Sequence, residues 1–147
     1  MKTSILFFFL NCMFLFGNVY SQTDIQILDI IVNSTFETDT ITEFPLITEN
    51  EHLRIMFKLN SAENADKVYV LFGTEQNTGN VLSLEADIVQ ENSTYYVVFN
   101  GIQEQIVGYT AQLFLELTPA QKDAYNFISL YVKDNQAEET NRLYFVK

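Results

Sequence analysis

Apolar residues recur at every second position through much of the chain after residue 50. Leu53, Ile55, Phe57 and Leu59 alternate with Arg54, Met56 and Lys58. Successive side chains of an extended backbone point to opposite faces, so this spacing predicts a strand with one buried and one wetter face. The same alternation predicts strands over 82–88 and 111–117. Residues 68–72 form an unbroken apolar run, which predicts a strand covered on both faces. Residues 95–99, 127–132 and 143–146 are rich in the β-branched and aromatic side chains that suit a pleated surface. The stretch 25–32 carries apolar residues in both phases and is the least regular. Eight strands result, with a ninth, short edge strand expected over 44–47.

Punctuation falls between these runs. Asn100-Gly101 sits between two apolar segments, and both residues tolerate the positive φ that a tight hairpin requires. Polar clusters at 76–80, 91–93 and 134–141 mark further turns. Residues 119–124 fit one short turn of helix, and no stretch shows a sustained helical period. The segment 102–107, after the hairpin turn, is a candidate sheet edge. Residues 34–51 hold Glu37, Asp39, Glu43, Glu49 and Glu51 with no Lys or Arg, and read as a solvated acidic connection. The pattern therefore points to an all-β, antiparallel sandwich.

The first residues change the compartment. Lys2 precedes an apolar run from 5 to 16, and Val19-Tyr20-Ser21 offers a cleavage site before Gln22. This is the layout of a secretory signal peptide, and the run is too short to span a bilayer. Cys12 lacks the small residues that precede a lipidated cysteine. The expectation is a leader over 1–21 and one domain over 22–147. The remaining 126 residues suit a single core, and they contain no cysteine to staple it. The full chain carries a net charge of −11. Such a balance argues against nucleic acid and against adsorption to anionic lipid, since both need clustered Lys and Arg.

Leu117-Thr118-Pro119 is followed by Tyr125 and the run Asn126-Phe127-Ile128-Ser129-Leu130-Tyr131-Val132. This resembles the E–F corner of fibronectin type III and related immunoglobulin-like domains. The resemblance implies a fibronectin type III-like sandwich of about seven to nine strands. It also implies that Leu117, Pro119 and Tyr125 form a structural corner, with the tyrosine hydroxyl bonded to upstream backbone. Val132-Lys133-Asp134-Asn135 and Leu143-Tyr144-Phe145-Val146 resemble the F–G hairpin of bacterial immunoglobulin-like modules. Here Gln136-Ala137-Glu138-Glu139 replaces the usual glycine-containing turn, so the connection is longer.

Reactive chemistry is sparse. His52 is the single histidine, no serine sits in a nucleophile-elbow pattern, and no glycine-rich phosphate loop occurs. No catalytic or metal-ligating set is expected, and no cofactor. In the immunoglobulin-like order the loops 60–66 and 134–141 share one end. That places Glu63, Asp66, Asp134, Glu138 and Glu139 on one rim as a candidate binding surface, with calcium as a hard-cation option. Tyr69, Tyr95, Tyr96, Tyr131 and Tyr144 are the candidates for stacking a sugar. The expectation is a non-enzymatic, exported protein-binding or structural module. It would serve as an accessory subunit of a cell-envelope or surface assembly, located in the periplasm, on the outer membrane or outside the cell. The alternative is a carbohydrate- or calcium-binding sandwich.

Overall fold

The computed structural model describes residues 23–35, 38–39, 46–47 and 50–147. The expected leader and most of the acidic connection lie outside the described residues.

Two antiparallel sheets face each other. The smaller has the order β1 (Ile27–Thr35), β4 (Glu51–Leu59), β9 (Thr110–Leu117). The larger has the order β11 (Leu143–Val146), β10 (Phe127–Asp134), β5 (Ala65–Gly73), β6 (Leu82–Glu91), β7 (Thr94–Phe99), β8 (Ile102–Gln105). A separate two-residue pairing joins β2 (Thr38–Asp39) to β3 (Leu46–Ile47). The fold is thus an all-β antiparallel sandwich, compatible with an immunoglobulin-like arrangement.

The alternating positions supply the core. Leu53, Ile55, Phe57 and Leu59 of β4 and Ala111, Leu113, Leu115 and Leu117 of β9 are buried. They meet Val68, Val70 and Phe72 of β5 and Ile128, Leu130 and Val132 of β10 across the interlayer space. Burying an aliphatic or phenyl side chain of this size contributes roughly 1.5–3 kcal/mol. The irregular phase of β1 has a local cause. Its pairing with β4 shifts between Ile27 and Asp29, so Ile25 and Ile27 point inward before the shift and Ile30 and Val32 after it.

One sequence expectation is corrected here. The outer side of β5 is only half-buried at Lys67, Tyr69 and Leu71, and no further strand layer covers it among the described residues. Tyr69 is partly covered by Tyr131 and Lys133, and the Leu71 end by the 74–80 loop, which folds back onto the sheet. There the Asn77 backbone N–H donates to Ser129 Oγ at 2.9 Å, burying a serine on the outer face of β10.

The chain crosses between sheets through α1 (Pro119–Ala124). Thr118 and Gln121 form a capping box. The Gln121 N–H donates to Thr118 Oγ1 at 3.3 Å, and the Thr118 N–H donates to Gln121 Oε1 at 3.0 Å. Pro119 opens the helix, where its missing N–H costs nothing. Leu117 is buried at the end of β9, and Tyr125 is buried at the C-terminal end of α1, immediately before the large sheet. The Tyr125 ring meets Phe72 edge-on at 5.2 Å, and Lys147 Nζ lies 4.4 Å from its centroid. Burial, and secondarily the charge of Glu51, pushes the Tyr125 phenol up to about 12. A phenol with a raised folded-state pKa favours folding fully below its unfolded pKa near 10 and loses that contribution as pH rises toward the folded value. Stability is therefore expected to fall between about pH 10 and pH 12, and Tyr125→Phe to flatten that fall. Urea unfolding across this range checks it; an unchanged slope in the variant would contradict it.

Candidate functional site

At one end of the sandwich the β4–β5 and β10–β11 loops meet. The Asn135 N–H donates to the Asn64 carbonyl at 2.9 Å, and Asn135 Nδ2 lies 3.3 Å from Asn64 Oδ1. Asn64 holds φ 64°, a conformation that asparagine tolerates better than most residues. The chain entering β1 joins them, because Asn60 Oδ1 accepts from the Gln26 N–H at 2.8 Å. The three segments enclose a shallow depression of about 450 Å³.

Three of the five candidate rim residues, Glu63, Asp134 and Glu138, line this depression, with Asp24 as a fourth carboxylate. Asp66 does not. The pairing of β5 with β10 shifts at this point, so Asp66 occupies a bulge and is exposed outside the depression. Glu139 also turns away, pairing with Arg142 at 2.8 Å and Lys133 at 3.6 Å.

Asp134 is occupied by the loop itself. Its Oδ1 accepts the N–H groups of Gln136 and Glu138, each at 2.9 Å. Burial pushes this carboxyl up, but the bonds from the Glu138 N–H, the Thr23 hydroxyl and the Gln136 N–H outweigh it and hold the group below its ordinary value of 3.8. Asp134 thus orders the long hairpin loop through its side chain, while Ala137, at φ 64°, takes the left-handed position that a turn glycine would hold. Asp134→Ala is expected to cost about 2 kcal/mol, because it leaves two backbone donors unmet. Asp134→Asn should recover most of this at neutral pH. A depressed carboxyl stabilises above its unfolded pKa, so wild-type stability should drop as pH falls below about 4, and the Asn variant should drop less. Equal acid profiles in urea unfolding would contradict the assignment.

Among the described residues no group of three His, Cys, Asp or Glu side chains is arranged to hold a metal ion. His52 stands at the start of β4, the opposite end of that strand from the rim, so Ser61 has no imidazole beside it.

Tyr69, Tyr96, Tyr131 and Tyr144 lie on the outer face of the large sheet, whereas Tyr95 is half-buried against the core. Tyr69 and Tyr131 stack on each other at 4.8 Å and 7°. Arg142 lies 4.1 Å from the Tyr131 centroid, and Lys133 lies 5.1 Å from that of Tyr69. These faces are spent on each other and on cations, which leaves little platform for a sugar. Tyr144 is 48% exposed but tilts against Phe127.

A different surface emerges on the side of the sandwich. The two layers differ in how their flanks end. On one flank β1 and β11 approach each other, and the Asn141 side chain bridges them. It accepts from the Ile27 N–H at 2.8 Å and donates to the Ile27 carbonyl at 2.9 Å. On the other flank β8 ends the large sheet and β9 ends the small one. The space between holds a groove of about 480 Å³, lined by Leu82, Leu84, Phe99, Ile102, Phe114 and Leu115 among others. At its far end Gln112 ties the layers. It accepts from Arg54 at 2.7 Å and donates to Glu104 at 3.0 Å. Ile102 and Phe114 are 54% and 44% exposed there. Sequence reading marked 102–107 as an edge but missed the groove, because its walls come from strands distant in sequence.

No protein-family model matches the chain, nor does any curated protein or solved structure. Among the described residues no helix is long and apolar enough to cross a membrane.

Proposed function

We propose that this is an exported, non-catalytic immunoglobulin-like module of the fibronectin type III kind that works by binding protein, as an accessory subunit of a cell-envelope or surface assembly. The observation that carries the reading is the open flank. Two sheet edges end beside a groove of mixed lining that exposes Ile102 and Phe114, and exposed apolar side chains grouped with polar ones at a sheet edge suit a protein interface. The strand order supports the finer kinship, since β1, β4 and β9 facing β5, β10 and β11 is the arrangement that the Tyr125 corner implies. The leader-like first 21 residues support export.

At the rim, Asp134 is engaged in holding its own loop and Glu139 pairs with Arg142 and Lys133. A photo-crosslinking amino acid placed singly at Ile102, Val107, Glu63 and Tyr144 tests the reading in the cell that makes the protein. A discrete protein adduct from at least one position is expected. Adducts from none of them would overturn it, and heat on titration with calcium or retention on a glycan array would then favour the ligand-binding alternative.

A further inference from the structure

Resting on that reading, we propose that the free edge of β8 and the groove beside it take an extended, Lys- or Arg-bearing segment of a partner protein as a seventh strand of the large sheet.

The backbone pattern shows which groups are free. The β7–β8 hairpin turns at Asn100 and Gly101, with φ 50° and 78°, and pairs Phe99 with Ile102 and Val97 with Glu104. The Ile106 N–H donates to the Tyr95 carbonyl at 2.8 Å. In an antiparallel ladder every second pair exchanges hydrogen bonds. Residues 102, 104 and 106 therefore bond to β7, and the N–H and C=O groups of Gln103 and Gln105 point away from the sheet. No other described strand pairs with them.

The edge is guarded only by its four-residue length and by Glu104. Soluble proteins block such edges with lysine, proline, a bulge or a covering segment. β8 reads Ile-Gln-Glu-Gln and has none of the first three. Its one charge, Glu104, is tied to Gln112. An added strand would place alternate side chains beside Ile102, over the groove, and the others beside Gln103 and Gln105.

Charge selects the occupant. From residue 68 to residue 121 the chain has no Lys, Arg or His, while it has Glu75, Glu85, Asp87, Glu91, Glu104 and Glu116. This span supplies β6 to β9 and most of β5; the neighbouring β4 adds His52 to the groove wall and Arg54, which is held by Gln112 and lies over Phe114, so the charge left at the β8 edge is anionic. A second copy would bring like charge against it. An apolar segment that also carries Lys or Arg would be drawn in, with an association rate that salt reduces.

The test uses three capped hexapeptides and the purified protein. One alternates Lys and Val, one alternates Glu and Val, and the third is the Lys–Val peptide with alternate backbone nitrogens methylated. The Lys–Val peptide is expected to bind and to slow hydrogen exchange at the Gln103 and Gln105 amides. The Glu–Val and N-methylated peptides should bind at least about tenfold more weakly, the loss that roughly 1.4 kcal/mol produces. Gln103→Pro should weaken Lys–Val binding by a similar factor and leave the melting temperature nearly unchanged, because that N–H has no partner inside the sheet. If Gln103→Pro does not fold, the N-methylated peptide tests the same bonds. Equal affinity for the Lys and Glu peptides, protection at other strands only, no binding at millimolar peptide, or a β8-to-β8 dimer would overturn the proposal. Crosslinks at Glu63 or Tyr144 but not at Ile102 or Val107 would sink this site and leave the protein-binding reading standing. Crosslinks at none would sink both.

Discussion

Phe72→Ala is expected to lower stability by about 4 kcal/mol, within the range for phenyl truncation in a close-packed core. Phe72 is fully buried on β5. That strand lies inside the large sheet, so its backbone is held on both sides, by Ile128 of β10 and Leu82 of β6. The frame cannot close over the missing ring, and the cavity remains. The edge-on contact with Tyr125 at 5.2 Å is lost as well, loosening the crossover between sheets. A domain of this size has a total stability of roughly 5–15 kcal/mol, so the variant should be near its limit at 37 °C. Urea unfolding measures this as a lower midpoint with an unchanged slope. A loss under about 1 kcal/mol would mean that the interlayer packing is wrong.

Gly73→Val is expected to cost about 3 kcal/mol, by overpacking rather than by cavity. Gly73 is buried at the end of β5, where the chain turns into the 74–80 loop. A Cβ at this position would collide with the hydroxyl and the backbone carbonyl of Thr78 and lie 2.8 Å from the Glu75 carbonyl. Two of these atoms are backbone, so a side-chain rotation cannot relieve them. The loop must lift, which breaks the Asn77-to-Ser129 bond and leaves a buried hydroxyl exposed to solvent. Thermal unfolding together with amide exchange at Asn77 reads both effects. A stable variant with a protected Asn77 would show that the loop takes up the added side chain without lifting.

These two positions mark where sequence reading succeeded and where it stopped. Phe72 belongs to an apolar run whose strand character is plain from composition alone. The hairpin at Asn100-Gly101 is equally plain, since few other pairs accept positive φ twice. Gly73 gave no signal, because the need for it arises from the way the 74–80 loop closes on residue 73 through Thr78 and Glu75, which alternation of apolar residues does not encode. β8 also lacks a periodic signature: one apolar residue in Ile-Gln-Glu-Gln cannot establish a phase, and an edge strand needs only backbone pairing to exist. The rim was legible in part. Loop order brings Glu63, Asp134 and Glu138 together, whereas the bulge at Asp66 and the cation pair around Glu139 depend on register and on side-chain reach, neither of which spacing encodes.

The account stands on a flank of the sandwich that is open at β8, and residue-resolved hydrogen exchange of the free protein reads that feature directly. Glu104 and Ile106 amides should be protected by their bonds to β7, while Gln103 and Gln105 amides should exchange at rates close to those of an unfolded chain. Uniform protection across all four would mean that the flank is already covered, and uniform exposure would mean that β8 is not a strand.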